Sequence, residues 1–89
     1  RASHIKPWRS SSDDERLDPQ NGLPLVATLD ALFDSGLICF DPAGALVASR
    51  RLPAAERSVL RLDGAKLTRY PTEKTQKYLA FHHSNVFRG

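Results

Sequence analysis

Apolar positions are sparse in the first twenty residues and then recur in short, regularly spaced groups, and this contrast predicts the elements. Ala2, His4 and Trp8 lie in a stretch with a β-compatible start. Pro7 cannot donate a ladder hydrogen bond, so a short strand ending near Lys6 is expected. Arg9 to Gln20 is almost wholly polar, and its serines, aspartates and Pro19 read as a long surface loop. Asn21-Gly22 is a turn signal, after which Leu23, Leu25 and Val26 suit a second strand antiparallel to the first. Thr28 is then the expected N-cap of a helix carrying Leu29, Leu32, Phe33 and Leu37 at spacings of three and four, with Gly36 as its left-handed end.

The second half repeats a strand pair and adds helices. Ile38-Cys39-Phe40 and Ala45 to Ala48 flank the turn-rich Asp41-Pro42-Ala43-Gly44, which predicts a hairpin. Pro53 at a first helical position, followed by AAERSVL, predicts a short helix. Leu67 to Tyr70 is expected as a strand, and Thr72 caps a last helix that packs through Tyr78, Leu79, Phe81, His82 and Val86. The fold class is therefore α+β: strand, loop, strand and helix, then a second hairpin and C-terminal helices.

Composition narrows the function without choosing it. With 89 residues and 40% hydrophobic content the chain supports one core, hence one domain. A core unit over about residues 1–37 is expected, with an extension over about 38–89. Thirteen Lys and Arg against ten Asp and Glu give a net charge of +3, which mildly favours an anionic partner. The single Cys39 excludes an internal disulfide or a cysteine-paired zinc site, and reads as a small buried strand residue in a reducing, cytoplasmic setting. No apolar run approaches the roughly 18 to 20 residues of a membrane span. The chain begins without Met on residues that already read as ordered, so an upstream segment of the same protein is expected before Arg1.

The strings ASHIKPW, then Asn21-Gly22-Leu23, then LDALFDSGLI, and near the end YLAFHHSNVFR, together resemble the HNH endonuclease family. The order of these strings, with the nine-residue step from Asn21 to Asp30, makes the combination specific. The resemblance implies a ββα-metal unit in which a β-hairpin and a helix hold one divalent ion, Mg²⁺ or Mn²⁺, and cut DNA to a 5′ phosphate and a 3′ hydroxyl. It places the general base at His4. Imidazole suits that task because its charge changes near neutral pH. Outside this combination, His4 reads as an ordinary strand histidine.

Asn21 matches the family's central Asn and would orient the loop between the strands. The family's third position, commonly His, is Asp30, a departure that favours a hard cation over a softer one. Asp34 follows one turn later on the same helix face, where the two carboxylates read either as metal ligands or as a solvated acidic face. Ser3 stands where many members carry an acidic ligand, so water would have to complete the coordination shell. Lys6, Trp8 and Arg9, directly after His4, offer charge and an aromatic plane to DNA, and Arg50-Arg51 a second basic stretch. Trp8 reads equally as cover for the core edge, and Arg50, Arg51, Arg57 and Arg61 as a solvated basic face. His82 matches the terminal motif and reads as a packing or capping residue. Adjacent helical residues point about 100° apart, so His82 and His83 do not chelate one ion. A DNA-binding module that does not cut is the alternative to the nuclease.

Overall fold

The computed structural model describes residues 2–89, with side chains from residue 4 onward. Arg1 and the side chain of Ser3, which the sequence singled out, lie outside the described residues. The first strand, β1 (Ala2–His4), pairs antiparallel with β2 (Gly22–Pro24) in the register Ala2↔Pro24, Ser3↔Leu23 and His4↔Gly22. β1 ends at His4, two residues before the expected limit. Ile5 still bonds across to the Asn21 carbonyl at 2.9 Å, after which Pro7 turns the chain away.

The polar stretch between the strands is ordered. It contains a 3-10 turn (Trp8–Ser10), a short helix α1 (Asp13–Leu17) and a second 3-10 turn (Pro19–Asn21). A capping box starts α1: the Ser12 side chain accepts from the Glu15 amide while the Glu15 carboxylate accepts from the Ser12 amide. Asp13, Asp14 and Glu15 put negative charge at the positive end of that helix.

The helix after the hairpin, α2 (Ala27–Asp34), starts earlier than expected, with Val26 and not Thr28 in the cap position. Asp30 N–H already bonds the Val26 carbonyl at 2.9 Å, so burial of the Phe33 face sets the start of this helix and a threonine hydroxyl does not. Its end is as expected. Gly36 has φ of 82°, with Leu37 N–H on the Leu32 carbonyl (2.9 Å) and Gly36 N–H on that of Phe33 (3.1 Å), a Schellman closure. A side chain at Gly36 would sit 2.1 Å from the Val86 carbonyl, so the C-terminal tail crosses here only because the residue is glycine.

β3 (Ile38–Phe40) and β4 (Leu46–Ala48) form the expected second hairpin, with Ile38↔Ala48 and Phe40↔Leu46 in register. Cys39 is buried in it, and burial together with the Asp41 charge pushes its thiol up to about 11. The helix after the hairpin, α3 (Ala54–Val59), takes Pro53 as its N-cap and not as its first helical residue. The strand expected over Leu67 to Tyr70 does not form: one bridge, Ala45↔Lys66, precedes Pro71, whose ring packs into the space above Gly44.

The last helix, α4 (Glu73–Asn85), is capped by Thr72, which accepts from the Thr75 amide. It buries Thr75, Tyr78, Leu79 and His82, while Phe81 and Val86 are only half-buried. No helix among the described residues is long and apolar enough to cross a membrane.

One core joins both halves: Ile5, Leu23, Leu25 and Phe33 from the first meet Ile38, Phe40, Leu52, Leu62, Tyr78 and Leu79 from the second. Among the polar contacts that fix α4 upon it are those of Asp18 and His82. Asp18 accepts from Tyr78 Oη and Lys74 Nζ, each at 2.7 Å, and from the Gln20 amide at 2.9 Å. His82 lies flat on Phe33, ring centroids 3.7 Å apart, and its Nε2–H is directed to the Phe33 carbonyl at 2.8 Å.

These two contacts predict how the fold responds to acid. Burial lowers the His82 pKa below the ordinary 6.5, partly countered by its bond to Phe33. The unfolded chain therefore takes up this proton first, and stability falls as pH drops from about 6.5 toward the folded value. The Lys74 ammonium, then the Gln20 amide and Tyr78 hydroxyl, lower Asp18 from 3.8 to about 2, so a second loss follows as pH drops between those values. Urea midpoints measured against pH should show both steps. His82→Gln should remove the first and Asp18→Asn the second; a wild-type midpoint flat between pH 7 and about 5 would contradict the neutral, buried His82.

Candidate active site

The short helix α1 positions the two residues on which the site turns. A helix of five residues leaves the carbonyls of its last turn without partners inside the helix. The Arg16 carbonyl is one of these, and His4 Nε2 lies 3.0 Å from it. A carbonyl can only accept, so Nε2 carries the hydrogen in this bond and the imidazole keeps its basic lone pair on Nδ1. The Glu15 carbonyl is another, and it takes the Asn21 Nδ2 hydrogen at 3.0 Å.

Asn21 is fully buried and its amide is used at both ends. Oδ1 accepts from the Lys6 amide at 2.8 Å, and the Asn21 backbone carbonyl accepts from Ile5 at 2.9 Å. The residue thus ties the segment leaving His4 to the end of α1. Sequence reasoning placed Asn21 in a turn; the structure places it inside the molecule, bridging two backbones.

His4 shares a cleft of about 790 Å³ with Asp30 and Asp34. Three segments line it: His4 to Ser10, the Asp30–Ser35 side of α2, and the stretch from Phe81 to Arg88. Asp30 is buried and Asp34 exposed, one turn apart on the same helix. Among the described residues no three His, Cys, Asp or Glu side chains converge closely enough to enclose a metal ion. Carboxylate oxygens have the chemistry that suits a hard divalent cation keeping several waters.

Trp8 stands at the rim, 55% exposed, with its ring edge-on to His4 at 5.3 Å. The Arg16 guanidinium covers its ring at 4.6 Å, and Arg16 Nε bonds the Trp8 carbonyl at 3.0 Å. Arg16 therefore holds both His4 and Trp8, a role the sequence did not suggest. The Ser12-Asp13-Asp14-Glu15 string, a capping-box pattern, was the signal that could have revealed the helix carrying it.

The basic residues expected at this site divide. Arg9 lines the cleft. Lys6 does not: its Nζ is held by both Glu15 oxygens at 3.0 and 2.9 Å and sits over the Phe81 ring, in a separate depression with Asp14, Asp18 and Lys74. That pairing lowers the Glu15 pKa, after the larger effect of the Ser12 amide. Arg50 and Arg51 are exposed beyond β4 and do not line the cleft.

A β-hairpin followed by a helix, with a carbonyl-anchored histidine at the end of the first strand and carboxylates on the helix, is a ββα unit. The family model of the HNH endonucleases matches residues 1–41. No curated protein matches the chain.

Asn21→Ala should strand the Lys6 amide and leave the Glu15 carbonyl with only the Asp18 amide, a loss of about 1–3 kcal/mol. Urea unfolding of the variant should show that loss, with His4 more accessible to solvent. A loss below about 0.5 kcal/mol would mean that water replaces the amide and that the loop does not depend on it.

Proposed function

We propose that this chain is a divalent-metal-dependent endonuclease acting on DNA, with His4 as its general base. The observation that carries the reading is the His4 bond to the Arg16 carbonyl, which fixes the ring and reserves Nδ1 for a proton, in a cleft that Asp30 and Asp34 also line. His4 Nδ1 takes the proton of the attacking water, and the Arg16 carbonyl steadies the imidazolium that results, since Nε2–H is already donated there. Asn21 keeps the backbone beside His4 in place through its two bonds. Trp8 offers an exposed ring for a base or sugar, and Arg9 a charge for a backbone phosphate.

Asp30 and Asp34 would hold the ion, Mg²⁺ or Mn²⁺ by their oxygen chemistry. Such an ion supplies charge stabilisation at the scissile phosphate and the leaving oxygen. One further reading is a DNA-binding module on the same scaffold that does not cut, since Ser3 and Asp30 stand where the family commonly has an acidic residue and a histidine.

Nicking of supercoiled plasmid with Mg²⁺ or Mn²⁺, and its loss with a chelator, tests the activity. His4→Ala should slow nicking by about 10²–10⁴-fold while duplex binding stays near wild type. Asp30→Asn should weaken Mn²⁺ binding in calorimetry and lower nicking with it. Duplex binding without any nicking would establish the binding module, and nicking by His4→Ala within about threefold of wild type would remove His4 from the chemistry.

A further inference from the structure

The cleft's third segment lies wholly outside residues 1–41, the span the family model matches, and it ends in an arginine. We propose that Arg88 is a phosphate-contacting residue of the DNA site, so that the C-terminal tail forms part of the substrate surface; this rests on the DNA-cutting reading above.

Three observations lead there. Arg88 is anchored: its amide donates to the Gly36 carbonyl at 2.8 Å, and the tail reaches that point only because Gly36 lacks a side chain. The stem of Arg88 runs over the same glycine, where a Cβ would lie 3.1 Å from its Cγ. This sets the residue at the C-terminal end of α2, beside the turn that carries Asp34. Its guanidinium, moreover, makes no hydrogen bond or ion pair among the described residues, unlike Arg16 and Lys6, whose charges are spent on internal partners. Arg88 is exposed and lines the cleft.

Charge bookkeeping supplies the need. A polyanion lying in the cleft needs cations along its path. Lys6 is withdrawn by Glu15, and among the described residues Arg9 and Arg88 are the cations that line the cleft. They come from opposite ends of the chain, so a phosphate backbone lying in the cleft would meet positive charge from two separate segments. A guanidinium also matches phosphate oxygens with paired donors.

The test measures the salt dependence of binding to a labelled mixed-sequence DNA duplex, in chelator so that no metal contributes. Arg88→Gln keeps the stem over Gly36 and removes the charge, Arg88→Lys keeps the charge, and Arg61→Gln serves as an exposed control outside the cleft. Loss of one phosphate contact should reduce the slope of log affinity against log salt by about 0.9, so a fourfold rise in salt costs the Gln variant about 3.5-fold less affinity than wild type. Arg88→Lys and Arg61→Gln should keep the wild-type slope. A wild-type slope in Arg88→Gln overturns the proposal and leaves the DNA reading standing. If the wild-type chain itself fails to bind duplex, both fall together.

Discussion

A five-residue helix cannot satisfy its own last carbonyls, and in this chain two of those carbonyls hold the site together. Arg16 takes the hydrogen of His4 and Glu15 takes that of Asn21. The same short helix is started by the Glu15 carboxylate, which also pins Lys6, so one element of α1 serves its cap, its ion pair and its backbone acceptor at once. Each bond is modest by itself, about 1 kcal/mol net for a neutral pair. Their value lies in closing a ring between β1, α1 and the start of β2, so that no single segment can shift without breaking bonds in the other two.

The second half of the chain gives that ring a surface to rest on. A unit of about forty residues buries too little apolar area to be stable alone, and here Phe33 is fully enclosed only because α4 and β3 close over it. Asp18, at the end of the interstrand segment, reaches both Tyr78 and Lys74. The segment that orders His4 is therefore held from two sides, by its own hydrogen bonds and by the last helix.

Much of this was legible in the sequence, for identifiable reasons. The two hairpins followed from turn residues between β-prone runs, the end of α2 from Gly36, and the start of α4 from Thr72; each depends on a local conformational preference that neighbours do not override. The helix inside the polar loop was missed because five residues show no apolar period, although Ser12 and Glu15 stood at capping-box spacing. Thr28 falls inside the helix, which starts at Ala27, and the strand expected over Leu67 to Tyr70 did not form, pairing there being limited to one bridge at Lys66. At the site, residue types were readable but partners were not. Nothing in the string distinguishes Lys6, spent on Glu15, from Arg9, or shows that a residue at position 88 returns to the mouth of a cleft that begins at position 4.

Cys39 has a consequence of a different kind. It is the only thiol in the chain, it sits in the middle of β3 with 1% of its surface exposed, and burial holds it protonated. A thiol reagent needs both access and a thiolate, and the closed molecule provides neither. Labelling can proceed only through openings that expose Cys39 in β3, so the rate at which the native protein consumes reagent is a clock on those openings. The molecule carries, in one unmodified side chain, a reporter of how often its second hairpin opens.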